Sequence, residues 1–132
     1  MISISEIDNL QRCLQQNDVP HQAIVFGSLA KACERFDSDV DVAIQLNHVM
    51  DAQEKMLWIA RIAACLGRSV DLIDLNVVGQ PLLGQIIKHG KRLVGDDAAY
   101  AALLIRNAFD QADFLPYRQR ILDERRNAWI GC

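Results

Sequence analysis

No apolar run in the sequence approaches the roughly 20 residues that a membrane-spanning helix needs, which argues against a transmembrane protein. There is no excess of positive charge. Lys and Arg number 14 against 17 Asp and Glu, a formal charge of −3, so non-specific binding to nucleic acid or anionic membrane is not expected. Proline and glycine are sparse, 3 and 7 residues, and no linker, repeat or low-complexity tract divides the chain. The first residues, MISISEIDNLQRCLQQ, carry acids early and no cationic flank, so they do not read as a signal peptide. The four cysteines, Cys13, Cys33, Cys65 and Cys132, form no CxxC pair. They are expected to be reduced thiols of a cytoplasmic protein, two or three of them plain core residues. His21, His48 and His89 share no ligand spacing, so a zinc site is not expected.

What the chain does have is the composition of a folded domain, with 51% hydrophobic and 23% charged residues. Its 132 residues suit one domain, 1–132, able to bury a core without disulfide or metal. Ile4, Ile7, Leu10 and Leu14 recur at steps of three and four and predict a helix that ends by Asn17-Asp18 and Pro20. Ala23–Phe26 is a short β-branched run closed by Gly27-Ser28, which predicts a buried strand. Val40, Val42, Ile44 and Leu46 alternate with Asp39, Asp41, Ala43 and Gln45, the period of a second strand. Helical spacing returns over 51–66, with Met56, Ile59, Ile62, Ala63 and Leu66 on one side and Gly67 as the C-cap. A third strand (Val70–Leu75), a short helix (Pro81–His89) and an edge strand (Lys91–Val94) follow. Residues 97–132 form a C-terminal helical region, capped by Asp96 or Asp97 and kinked or divided at Pro116. The order predicts an α/β chain, an α+β sandwich whose small mixed sheet has helices on one face.

The chemistry concentrates in Gly27-Ser28, a ten-residue spacer, and Asp39-Val40-Asp41. Residues two apart on a strand project from the same face, so Asp39 and Asp41 present adjacent carboxylates. Such a pair suits Mg²⁺, which takes one or two carboxylates together with substrate phosphates. Gly27 lets backbone approach a phosphate closely, and Ser28 adds a hydroxyl and an N–H. Either part alone is commonplace, a turn or a solvated strand face; the combination is what points to a phosphate and metal site. A further acid comes from Val70-Asp71-Leu72-Ile73-Asp74-Leu75. Asp71, between apolar neighbours inside the strand, is favoured as the third member over Asp74 near its end.

This arrangement resembles the nucleotidyltransferase superfamily related to DNA polymerase beta. At this size it is similar to the minimal nucleotidyltransferase (MNT) family, whose members pair with HEPN-domain proteins in prokaryotic toxin–antitoxin modules. The resemblance covers about residues 20–95 and implies a nucleotidyltransferase fold. It implies Asp39, Asp41 and Asp71 as catalytic metal ligands and Gly27 and Ser28 as triphosphate contacts. Such proteins often continue Gly-Ser-x-Ala-Arg-Gly; here Gly-Ser-Leu-Ala-Lys-Ala places Lys31 at the cationic position, a point charge without a guanidinium fork.

The activity so implied is Mg²⁺-dependent in-line displacement at the α-phosphate of ATP, with AMP passing to a tyrosine of a HEPN ribonuclease toxin and inactivating it. The alternatives are a non-catalytic antitoxin that neutralises its partner by binding alone, and a small-molecule nucleotidyltransferase, for which 132 residues leave little room. Beyond Pro116, Ile121, Leu122, Arg125 and Trp129 lie at helical spacing, either as a surface for the toxin or as packing for the chain's own core.

Overall fold

Each period in the sequence has its element in the computed structural model, which describes residues 4–16, 18–26 and 39–125, with side chains over 5–16, 18–26 and 39–112. In chain order these are α1 (Ile4–Gln16), β1 (Gln22–Phe26), β2 (Val40–Gln45), α2 (Ala52–Leu66), β3 (Val70–Asp74), α3 (Leu82–His89), β4 (Lys91–Val94) and α4 (Asp97–Arg125). Among the described residues no helix is long and apolar enough to cross a membrane.

The sheet runs β3-β2-β1-β4 and is mixed. β1 pairs antiparallel with both β2 and β4, whereas β2 and β3 are parallel and joined through α2. The class is therefore α/β, as the element order implies, and β4 is an edge strand as expected.

The helices do not keep to one face of the sheet. Ala23, Val25, Val42, Ile44 and Leu72 point to one side, where Leu10 and Leu14 of α1 and Trp58 and Ile62 of α2 cover them. Ile24, Phe26 and Ala43 point to the other, against Leu83 and Ile86 of α3 and Leu103 of α4. The reason lies in β1, buried at all five positions. A strand without polar alternation needs cover on both sides.

Local signals set the boundaries. Asp51 and Glu54 form a reciprocal capping box at the start of α2, the Asp51 carboxylate accepting from the Glu54 N–H at 2.7 Å. Gly67 closes that helix with a left-handed φ of 66°, which a Cβ would disfavour. The Asp96 carboxylate accepts from the Ala99 N–H at 2.8 Å and caps α4. The buried stripe of α2 departs from expectation at one end: Ile62 is buried and Ile59 and Leu66 pack beside it as expected, but Trp58 is buried while Met56 is 69% exposed. The indole supplies the larger apolar surface, so the helix is turned to bury it. α4 continues without division past Pro116 to Arg125. A helix-interior proline removes one donor, and the turns on either side carry the helix across it.

The cysteine expectation is also corrected. Cys13 of α1 and Cys65 of α2 form a disulfide, 52 positions apart in sequence and with Cα atoms 6.5 Å apart. Helix packing, which spacing in the chain does not report, brings them together. Cys33 and Cys132 lie outside the described residues.

Candidate active site

The strand periodicity places two of the expected acids side by side. Val40 and Val42 are buried against α1 and α2, so Asp41 between them projects to the opposite face. Leu72 is buried on the same side as Val42, so Asp71 projects with Asp41. The parallel register pairs Asp41 directly with Asp71. Adjacent strands lie about 4.8 Å apart, so the two carboxylates leave the sheet as neighbours. Asp39, exposed, stands immediately before β2 and two positions from Asp41.

Asp71 is exposed rather than enclosed by the apolar residues that flank it. On β2 and β3 the cluster made with α3 and α4 reaches Ala43 and the partly buried Ile73, one alternation short of the two acids, and on β1 it extends to Phe26. Asp41 is half-buried. On its other side Asp41 is in register with Phe26, the last residue of β1. The chain therefore leaves β1 beside Asp41 and re-enters the sheet through Asp39. Gly27, Ser28 and Lys31, in the intervening segment, lie outside the described residues.

Asp74 is separated from this site by geometry as well as distance. Its register partner is Ile44, on the α1/α2 side, so it belongs to the opposite face. It is 7% exposed, and its carboxylate accepts from the N–H groups of Met50 and Asn76, each at 2.9 Å. Asn76 continues the network: its amide donates to the carbonyls of Leu46 and His48 and accepts from Gln45, which accepts in turn from Gln22. These groups close the end of the sheet away from the paired acids, and buried Gln22, which no sequence period marks, anchors them to the Ala99 carbonyl of α4.

The donor set is hard oxygen of one sign. Among the described residues no three His, Cys, Asp or Glu side chains are grouped so as to hold a metal ion. The two carboxylates in register nevertheless fit Mg²⁺, which needs one or two from protein and fills its shell with phosphate oxygen and water.

Comparison with known proteins agrees with this architecture. The family model described as "Polymerase beta, Nucleotidyltransferase" matches residues 8–99. The chain belongs to the polymerase beta nucleotidyltransferase family. A relative within reach of sequence comparison is the protein adenylyltransferase MntA of Shewanella oneidensis, 28% identical over 97 residues that span 70% of each chain. The nucleotidyltransferase fold recurs in a solved toxin–antitoxin structure with AMP-PNP, TM-score 0.75 at 23% identity, covering 89% of this chain and 96% of that one. It recurs in a tri-AMPylated Shewanella oneidensis HEPN toxin in complex with MNT antitoxin, TM-score 0.73 at 22% identity over 91% and 95% of the two chains. In this nucleotidyltransferase the register Phe26–Asp41–Asp71 defines one end of the sheet, and the Asp74–Asn76–Gln45–Gln22 network the other.

Proposed function

We propose that the chain is an antitoxin that adenylylates its partner, transferring AMP from ATP to a tyrosine of a cognate HEPN-domain ribonuclease toxin in the cytoplasm. The observation that carries this reading is the in-register pair Asp41–Asp71 on one open face, beside the strand end that leads into Gly27-Ser28. The relatives support the acceptor: one is named a protein adenylyltransferase, and a structural neighbour is an MNT antitoxin complexed with an AMPylated HEPN toxin. The neighbour solved with AMP-PNP supports ATP as donor. Two exposed apolar side chains on α4, Ile105 at 59% and Phe109 at 71%, add a surface for a protein partner. The Ile121, Leu122, Arg125 and Trp129 side chains, expected either to face the toxin or to pack on the chain's own core, lie outside the described residues.

In this reading Asp39 and Asp41 hold Mg²⁺ with the triphosphate, and Asp71 completes the site. Bound magnesium supplies charge neutralisation of the phosphates and a more acidic attacking hydroxyl. Gly27, Ser28 and Lys31 contact the triphosphate and align its α-phosphate with the incoming tyrosine. Asp71 takes the phenolic proton as the tyrosine oxygen bonds to the α-phosphorus and the bond to the β-phosphate oxygen breaks, releasing pyrophosphate. Alignment does most of the work, since the transfer needs no covalent protein intermediate.

The test is incubation of the full chain with ATP, Mg²⁺ and a candidate cognate HEPN-domain protein. The partner should gain the mass of AMP on tyrosine, and Asp39→Ala with Asp41→Ala should abolish the gain. Transfer surviving the double substitution overturns the mechanism. Tight binding with no mass change favours neutralisation by contact alone.

A further inference from the structure

The disulfide between α1 and α2 lies on the face of the sheet away from the paired acids. Its two residues are unequally placed: Cys13 is 5% exposed, whereas Cys65 is exposed. An open cavity of about 320 Å³ lies against the bond, lined by Asn9, Arg12, Cys13, Gln16 and Cys65. Among the described residues its one charged lining residue is Arg12, whose guanidinium donates to the Asn9 side-chain carbonyl at 3.0 Å. The recess thus offers a cation, two amide side chains and the disulfide. Those are the groups that would receive a small peptide-like molecule carrying carboxylates and a thiol.

We propose that this recess is a thiol–disulfide exchange site for an anionic low-molecular-weight thiol of the glutathione class. The incoming thiolate attacks Cys65 Sγ, the sulfur of the exposed residue. A new S–S bond forms to Cys65, the Cys13–Cys65 bond breaks, and its electron pair leaves on Cys13 Sγ, which takes a proton from solvent. A second thiolate attacks the small molecule's own sulfur in the mixed disulfide. That releases Cys65 as a thiolate and carries away the oxidised dimer. Two thiols lose two electrons and the protein disulfide gains them; the reverse sequence closes the bond again.

Contacts beside the bond keep the helices docked while it is open. Arg61 donates to the Cys13 carbonyl at 2.7 Å, Gln11 to the Leu93 carbonyl at 2.9 Å, and Arg68 pairs with Glu6 at 3.0 Å. Leu10 and Leu14 stay buried under the sheet. Cys13 therefore remains in place to re-form the bond. A disulfide that opens without unfolding its surroundings is one that can cycle.

The experiment uses the full chain purified without reductant. It is exposed in parallel to reduced glutathione and to uncharged β-mercaptoethanol, quenched by alkylation and mapped by peptide mass, which separates Cys33 and Cys132 from the pair. Before reductant, a Cys13–Cys65 cross-linked peptide is expected. With glutathione the adduct should appear on Cys65 and not on Cys13. Arg12→Glu, at an exposed position, should slow the glutathione reaction about fivefold and leave the β-mercaptoethanol reaction unchanged. Free Cys13 and Cys65 before reductant overturn the proposal, as does an adduct on Cys13. Equal slowing of both thiols overturns the recognition by Arg12, and reduction by a dithiol protein alone overturns the small-thiol assignment. Adenylyl transfer plays no part in these readouts, so the two readings fail separately.

Discussion

Asp71 and Asp74 stand three residues apart on one strand, each beside leucine or isoleucine, yet they occupy opposite circumstances. Asp74 is enclosed, and both its oxygens accept backbone N–H groups where the chain leaves β2 for α2 and leaves β3 for α3. Asp71 is exposed on the other face, in register with a second carboxylate. A carboxylate whose lone pairs are taken up by buried amides holds the fold, and removing it strands those amides. Two like charges in register on neighbouring strands repel each other, so their pairing is not itself a source of stability. A protein keeps such a pair for what can be placed between them.

The largest effect should therefore come from Asp71→Asn. On the proposed mechanism it removes the proton acceptor of the transfer, and adenylyl transfer measured with labelled ATP should fall by roughly 10²–10⁴-fold. The melting temperature should hold or rise slightly, because one of two like charges is gone. Asp74→Ala should show the opposite pattern. With the Met50 and Asn76 N–H groups left unpaired in a part-buried site, chemical denaturation should report a loss of about 2–4 kcal/mol. Transfer per folded molecule should stay near wild type. If Asp74→Ala silenced the folded protein while Asp71→Asn did not, the two roles would have to be exchanged.

Which acid belonged to which role was only half legible in the sequence. The alternation through Val40, Val42 and Ile44 fixes the face of Asp41, and the same parity in β3 sets Asp71 and Asp74 on opposite faces. What parity does not convey is where the covering helices stop. Asp71 was expected to be costly to bury, but among the described residues the cluster with α3 and α4 reaches only Ala43 on β2 and Ile73 on β3, and Asp71 is exposed. β1 carried a plainer signal: a run with no polar alternation implies two covered faces, and that implication separates the observed sheet from one with helices on one side. The Asp74 network was illegible because Asn76, Gln45 and Gln22 meet only through pairing between strands. The Cys13–Cys65 bond was hidden for the same reason, both helices having to dock before the thiols meet.

A smaller effect sharpens the comparison at the point where β3 begins. Gly67 ends α2 at a φ of 66°, and two residues later the Ser69 carbonyl accepts the Val40 N–H at 3.0 Å, the bond that opens the β2–β3 pairing. A Cβ at Gly67 would meet nothing within 4 Å, so Gly67→Ala carries only the conformational penalty of the left-handed region, about 1 kcal/mol. Melting should drop by roughly 3–6 °C with transfer retained below the transition. That outcome means Val40, Val42, Val70 and Leu72 hold the register by packing, because a slip of one residue would turn every side chain of β3 over. If transfer is lost well below melting, the left-handed turn itself is what keeps Asp71 opposite Asp41, and the difference between the two aspartates of β3 begins at a single glycine.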